Sequence, residues 1–100
     1  MKTIPNKITK FPAPFPTEAK PNACFSDLLI SVLDNPPREG FSPSVMRVRT
    51  KIVGALEAVP PGGEITLEDA DYDTVVSALK AMPWRVRSLD LISLFDAMGI

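Results

Sequence analysis

The chain has no histidine, a single cysteine and no long apolar run. Without histidine it lacks the commonest general base, the usual neutral-pH switch and the favoured transition-metal ligand. One cysteine, Cys24, excludes an internal disulfide framework and a CxxC zinc site. With no histidine to activate it, Cys24 cannot form a Cys–His nucleophile within this chain. Ser26, Ser31, Ser42, Ser44, Ser77, Ser88 and Ser93 also lack a histidine base, and none lies in a G-x-S-x-G context. The composition therefore argues against an enzyme and predicts no cofactor. The longest apolar run is Leu28–Ile30, with Val32 and Leu33 just beyond, far short of a membrane span. Lysines near the N-terminus are not followed by an apolar stretch of signal-peptide length. These features predict an intracellular chain with no membrane partner, in which Cys24 is a small buried hydrophobe of a reducing compartment.

What the chain does have is proline, and an uneven spread of charge. Eleven of its 100 residues are proline, and the formal net charge is −1. Residues 1–22 carry a net charge of +3 and the remainder −4. An acidic body repels phosphate, which argues against nucleic acid as its partner. Pro5, Pro12, Pro14, Pro16 and Pro21 all fall in the first 22 residues. Proline at every second position from Pro12 to Pro16 forbids helix and keeps the intervening residues extended. Residues 1–22 are accordingly expected to be an extended arm, polyproline II or irregular, too poor in apolar anchors for a core of its own. Ile8, Phe11 and Phe15 are its candidate docking residues, either on a neighbouring subunit or on the chain's own flank.

Residues 23–100 read as a compact, mainly helical domain. Phe25, Leu28, Leu29, Val32 and Leu33 fit the i, i+3, i+4, i+7, i+8 template of an amphipathic helix. Leu28, Ile30 and Val32 also alternate as a strand would, so both readings stay open, with helix favoured. Asn35-Pro36-Pro37 stops the element. Ser42 as N-cap and Pro43 at the first helical position open a second helix. Its predicted stripe is Val45, Val48, Ile52, Ala55 and Val59, widened by Met46, Val53 and Leu56, with Arg47, Arg49 and Lys51 on the remaining surface. Pro60-Pro61-Gly62-Gly63 ends it. Glu64–Leu67 alternates as a brief strand, although Thr66–Asp69 could instead be a capping box. A third helix over 71–82 presents Tyr72, Val75, Val76, Leu79 and Met82. After Pro83-Trp84, Ser88 caps a last helix with Leu91, Leu94, Phe95 and Met98 inside. The expected architecture is a mostly α bundle of three to four helices with one short β element, preceded by the extended arm.

Few constellations suggest chemistry. Asp69-Ala70-Asp71-Tyr72-Asp73 begins like a calcium loop, but Thr74 stands where the turn glycine belongs and Lys80 where the bidentate glutamate belongs. An acidic helix start that complements the helix dipole accounts for it better, and no metal site is predicted. Gly62-Gly63 precedes no phosphate-loop lysine and reads as a turn. Arg47, Arg49, Lys51, Arg85 and Arg87 read as surface charge. Trp84, beside a proline at a helix break, is either a lid on the core or a fourth docking residue.

The stretch Phe25–Pro37, then Gly40-Phe41-Ser42 and the Arg-rich helix ending Ala55-Leu56-Glu57, together with Ile65–Tyr72 and Met82-Pro83-Trp84, has a recognisable overall pattern. Across residues 25–98 it resembles small proteins encoded among the structural genes of tailed bacteriophages and prophages. That resemblance implies a virion structural or assembly accessory role, played through contacts with other virion or assembly proteins in a homo- or hetero-oligomer. It places the chain in the host cytoplasm during assembly, or in the virion, and brings no catalytic residues with it. The alternative expectation is an acidic regulatory protein that binds and inhibits a host protein through residues 64–73.

Overall fold

The computed structural model describes residues 1–13, 16–18, 21–37 and 39–100. Its elements run β1 (Lys2–Pro5), β2 (Ile8–Pro12), β3 (Asn22–Cys24), α1 (Phe25–Asp34), α2 (Pro43–Glu57), β4 (Glu64–Leu67), α3 (Asp69–Ala81) and α4 (Leu89–Ala97). The four strands form two small antiparallel sheets, β1 with β4 and β2 with β3. This is a mixed α/β fold, and it corrects the expected mostly α bundle with one short β element. The helices and the Glu64–Leu67 strand lie where the periodicity puts them. Two of the three additional strands fall within residues 1–22, where proline density predicts an arm, and the third, Asn22–Cys24, straddles its end.

The reason is visible in the pairing. In β1, Ile4 sits opposite Ile65 and is buried, while Lys2, Thr3 and Pro5 face solvent. Pro5 and Pro12 each close a strand, positions where a missing ladder N–H is tolerated. In β2, Thr9 points inward, 3% exposed, and its hydroxyl donates to the Ala23 carbonyl at 2.8 Å. The Cα radius of gyration is 13.0 Å, close to the ~13 Å expected of a compact 100-residue body, so residues 1–12 lie against the globule.

Between β1 and β2, Asn6 acts as a latch. It is fully buried, and its Nδ2 donates to Ser26 Oγ (3.1 Å) and to the Pro60 carbonyl (3.1 Å). Its Oδ1 accepts from the Ser26 N–H at 2.8 Å. Its backbone N–H donates to the Gly63 carbonyl and its carbonyl accepts from the Gly62 N–H, both at 2.9 Å. The Pro60–Gly63 turn supplies those groups. Gly63 N–H closes it onto the Pro60 carbonyl, with Pro61 second and Gly62 third at φ +81°, a conformation that favours glycine. Lys7 then accepts from the Phe25 N–H, so the N-terminal segment also satisfies a free donor at the start of α1.

The core gathers residues from nearly every element: Ile4, Phe25, Leu29, Leu33, Ile52, Leu56, Ile65, Val75, Leu79 and Leu94 among them. α1 is the central helix, and both α2 and α3 pack on it. The α2 stripe is narrower than predicted. Ile52 and Leu56 are buried, but Met46, Val48 and Ala55 are exposed, so the N-terminal half of this helix keeps its apolar side open. Ser42 Oγ caps α2 through the Val45 N–H, and Ser88 Oγ caps α4 through the Asp90 N–H.

Candidate functional site, a cleft between α2 and α3

α2 and α3 both rest on α1 and are tied together by ion pairs. Lys51, midway along α2, reaches Asp71 (3.3 Å) and Glu68 (3.8 Å) at the start of α3. Beyond that tie the helices enclose a cleft of about 950 Å³. Val45 and Val48 line the α2 wall, and Ala78 and Ala81 the α3 wall. Val32 of α1 contributes to the lining, Met82 and Pro83 border it, and the Asn35–Pro37 turn with Glu39 closes an end. Polar side chains share the lining: Ser44, Thr74, Ser77, Asp73 and Arg49 complete it. A concave pocket of this size, with apolar walls and polar groups beside them, is a candidate binding site.

Arg49 is the most constrained of these side chains. Its Nη1 donates to the carbonyls of Leu33 and Asn35, both at 3.0 Å, satisfying acceptors at the C-terminal end of α1. A cation there also complements the helix dipole. The guanidinium lies over the Phe41 ring at 5.4 Å, a cation–π contact. Its Nε is buried and donates to no acceptor. The sequence reading put Arg49 on the outer surface with Arg47 and Lys51. Only the approach of the α1 terminus, invisible from α2 alone, turns it inward.

The expected docking residues are dispersed. Ile8 is 62% exposed on β2, and Phe11 is half-buried. Trp84 is half-buried too, packed at 5.7 Å on Phe95 and donating from Nε1 to the Leu79 carbonyl, the arrangement of a lid on the core. Phe15 lies outside the described residues, as do Pro14 and Arg38. Phe11 does border a small depression with Leu89 and Ser88, where the Lys10 N–H donates to Asp90 Oδ2 and ties β2 to the start of α4. Leu89, 82% exposed, and Ile92, 48% exposed, form an outward apolar stripe on α4 that the sequence reading missed. The signal was there: both are the large apolar residues left over once Leu91, Leu94 and Met98 are assigned inward.

The acidic run is divided among separate tasks. Asp69 begins α3 and meets the N-terminal ammonium at 3.1 Å, Glu68 and Asp71 hold Lys51, and Asp73 lines the cleft. Among the described residues no group of three acidic or thiol side chains is placed to hold a metal ion. Cys24 is buried, with Sγ near Ser26 Oγ, while its backbone N–H donates to Asp27 Oδ2 at 3.0 Å. Among the described residues no helix is long and apolar enough to cross a membrane. Comparison with protein families, with curated proteins and with solved structures returns no match.

Proposed function

We propose that the protein is a non-enzymatic binding module whose cleft between α2 and α3 receives an apolar segment of another protein. The observation that carries this reading is the cleft that opens between the two helices beyond their ion-pair tie. Lys51 holds them together beside Asp71, while Val45, Val48, Ala78 and Ala81 line opposite walls of an opening beyond. Grooves of this kind accept an amphipathic helix or a short apolar stretch, with anchors spaced along one face. A virion structural or assembly accessory protein of a tailed phage is the role that the sequence resemblance implies for such a module. Contact with partners then falls to the cleft rather than to residues 1–12, which pair within their own chain. The acidic-inhibitor alternative draws less support, because Lys51 and the N-terminal ammonium already engage Glu68, Asp69 and Asp71.

Selection of a yeast-displayed library of random 12-residue peptides tests the reading. The wild-type protein should enrich peptides with apolar residues at helical spacing, and Val48→Asp or Ala81→Asp should abolish their binding. Peptides that bind wild type and both variants equally would place recognition elsewhere.

A further inference from the structure

The charges that face the cleft are not balanced. Its lining holds two carboxylates, Glu39 and Asp73, and one cation, Arg49. Glu39 and Asp73 are exposed, and neither has an ion pair among the described residues. Arg49 is committed elsewhere: its Nη1 serves the Leu33 and Asn35 carbonyls, and its guanidinium lies over Phe41. The neighbouring bases of the two helices, Arg47, Lys51 and Lys80, do not line the opening, and Lys51 is held by Glu68 and Asp71. The backbone adds to the imbalance. α1 and α3 both bring their C-terminal ends to the cleft, at Asn35 and Met82, whereas α2 brings one N-terminal end, already capped by Ser42. Helix C-termini favour cations. Beside these groups stand the apolar side chains of Val45, Val48 and Ala78. From Asp73 to Ala81 the α3 wall is about 12 Å long, room for about two turns of an incoming helix.

We propose that the occupant of the cleft is a basic amphipathic helix of a partner protein. Its apolar side chains enter between α2 and α3, and lysine or arginine flanking that stripe meets Glu39 and Asp73. This rests on the cleft's being a protein-binding surface and names the chemistry of its partner. Rim charges of this kind govern the rate of encounter and the choice among apolar competitors more than the depth of binding. An acidic helix with the same apolar stripe is refused, because it brings like charge to two unpaired carboxylates. The net charge of the whole chain, −1, is too small to attract cations by itself, so the preference belongs to the cleft.

The peptide selection that tests the cleft also tests its charge. Peptides selected by the wild-type protein should carry more lysine and arginine, and less aspartate and glutamate, than the unselected library. The double variant Glu39→Lys, Asp73→Lys changes two exposed positions, should keep the wild-type circular dichroism spectrum, and should reverse that preference. For one selected peptide, titrated by fluorescence anisotropy at low salt, each single reversal should weaken binding about fivefold, and added salt should erase the difference. Glu57→Lys, an exposed charge reversal at the end of α2 away from the cleft, should leave binding unchanged. Selected apolar peptides with no excess of basic residues overturn the proposal while the cleft reading stands. So does a basic excess that the double variant retains. A loss with Glu57→Lys as large as with Asp73→Lys overturns it too, because the response is then to net charge alone. If no apolar peptide is selected, both readings fall.

Discussion

At the residue scale, Asn6 and Arg49 do similar work with opposite visibility. Each is a polar side chain drawn inward to satisfy backbone groups of a distant element. Truncating Asn6 to alanine would strand the Ser26 N–H away from water and remove the tie to the Pro60 carbonyl. Leaving a buried donor unsatisfied costs about 1–3 kcal/mol, so Asn6→Ala should lower the urea midpoint with little change in slope. An unchanged midpoint would mean that water replaces the amide without loss. Neither role could be read locally. Asn6 sits between two prolines' worth of extended chain, with its partners near residues 26 and 60. Arg49 lies among charged neighbours on a helix whose sequence shows no reason for one arginine to differ.

At the element scale, the two helix caps and the proline stops were legible because their physics is short-range. Ser42 and Ser88 donate nothing beyond their own first turn; each accepts a nearby N–H, and Asn35-Pro36-Pro37 ends α1 without help. The N-terminal strands were hidden because strand pairing is non-local. Lys2–Pro5 holds only one buried apolar residue, Ile4, and its meaning depends on Ile65 lying opposite. Pro5 and Pro12, two of the prolines that mark the expected arm, are strand ends. The cleft was half legible: the stripe on α2 was predicted too wide, and the apolar residues it wrongly assigned to the core, Val45 and Val48, are those that line the opening. Deleting residues 2–7 removes β1, Ile4 and the Asn6 latch together, and burying an isoleucine alone contributes about 1.5–3 kcal/mol. The deletion should abolish the cooperative thermal transition seen by circular dichroism. A free arm would instead leave that transition in place.

At the scale of the whole molecule, stability comes from one shared core more than from charge. The Met1–Asp69 and Lys51–Glu68 ion pairs are largely solvated, and such pairs contribute about 0–1 kcal/mol each; only the Lys51–Asp71 pair has a shielded member, Asp71. Closing the core depends instead on contacts between segments far apart in sequence, since Ile4 meets Ile65 and Tyr72 donates to the Met98 carbonyl. Pairing of this kind closes long loops before it is rewarded.

Synthesis from the N-terminus makes that order visible. Lys2–Pro5 must leave the ribosome and wait without its strand partner until Glu64–Leu67 has been translated, and Asn6 waits for Pro60. A stalled nascent chain ending at residue 60, on a spacer long enough to clear the exit tunnel, should be cut by protease within residues 2–12. The same arrangement ending at residue 100 should resist. A strand made early is thus among the last to find its place, and while it waits it is open to capture by whatever else is being made nearby.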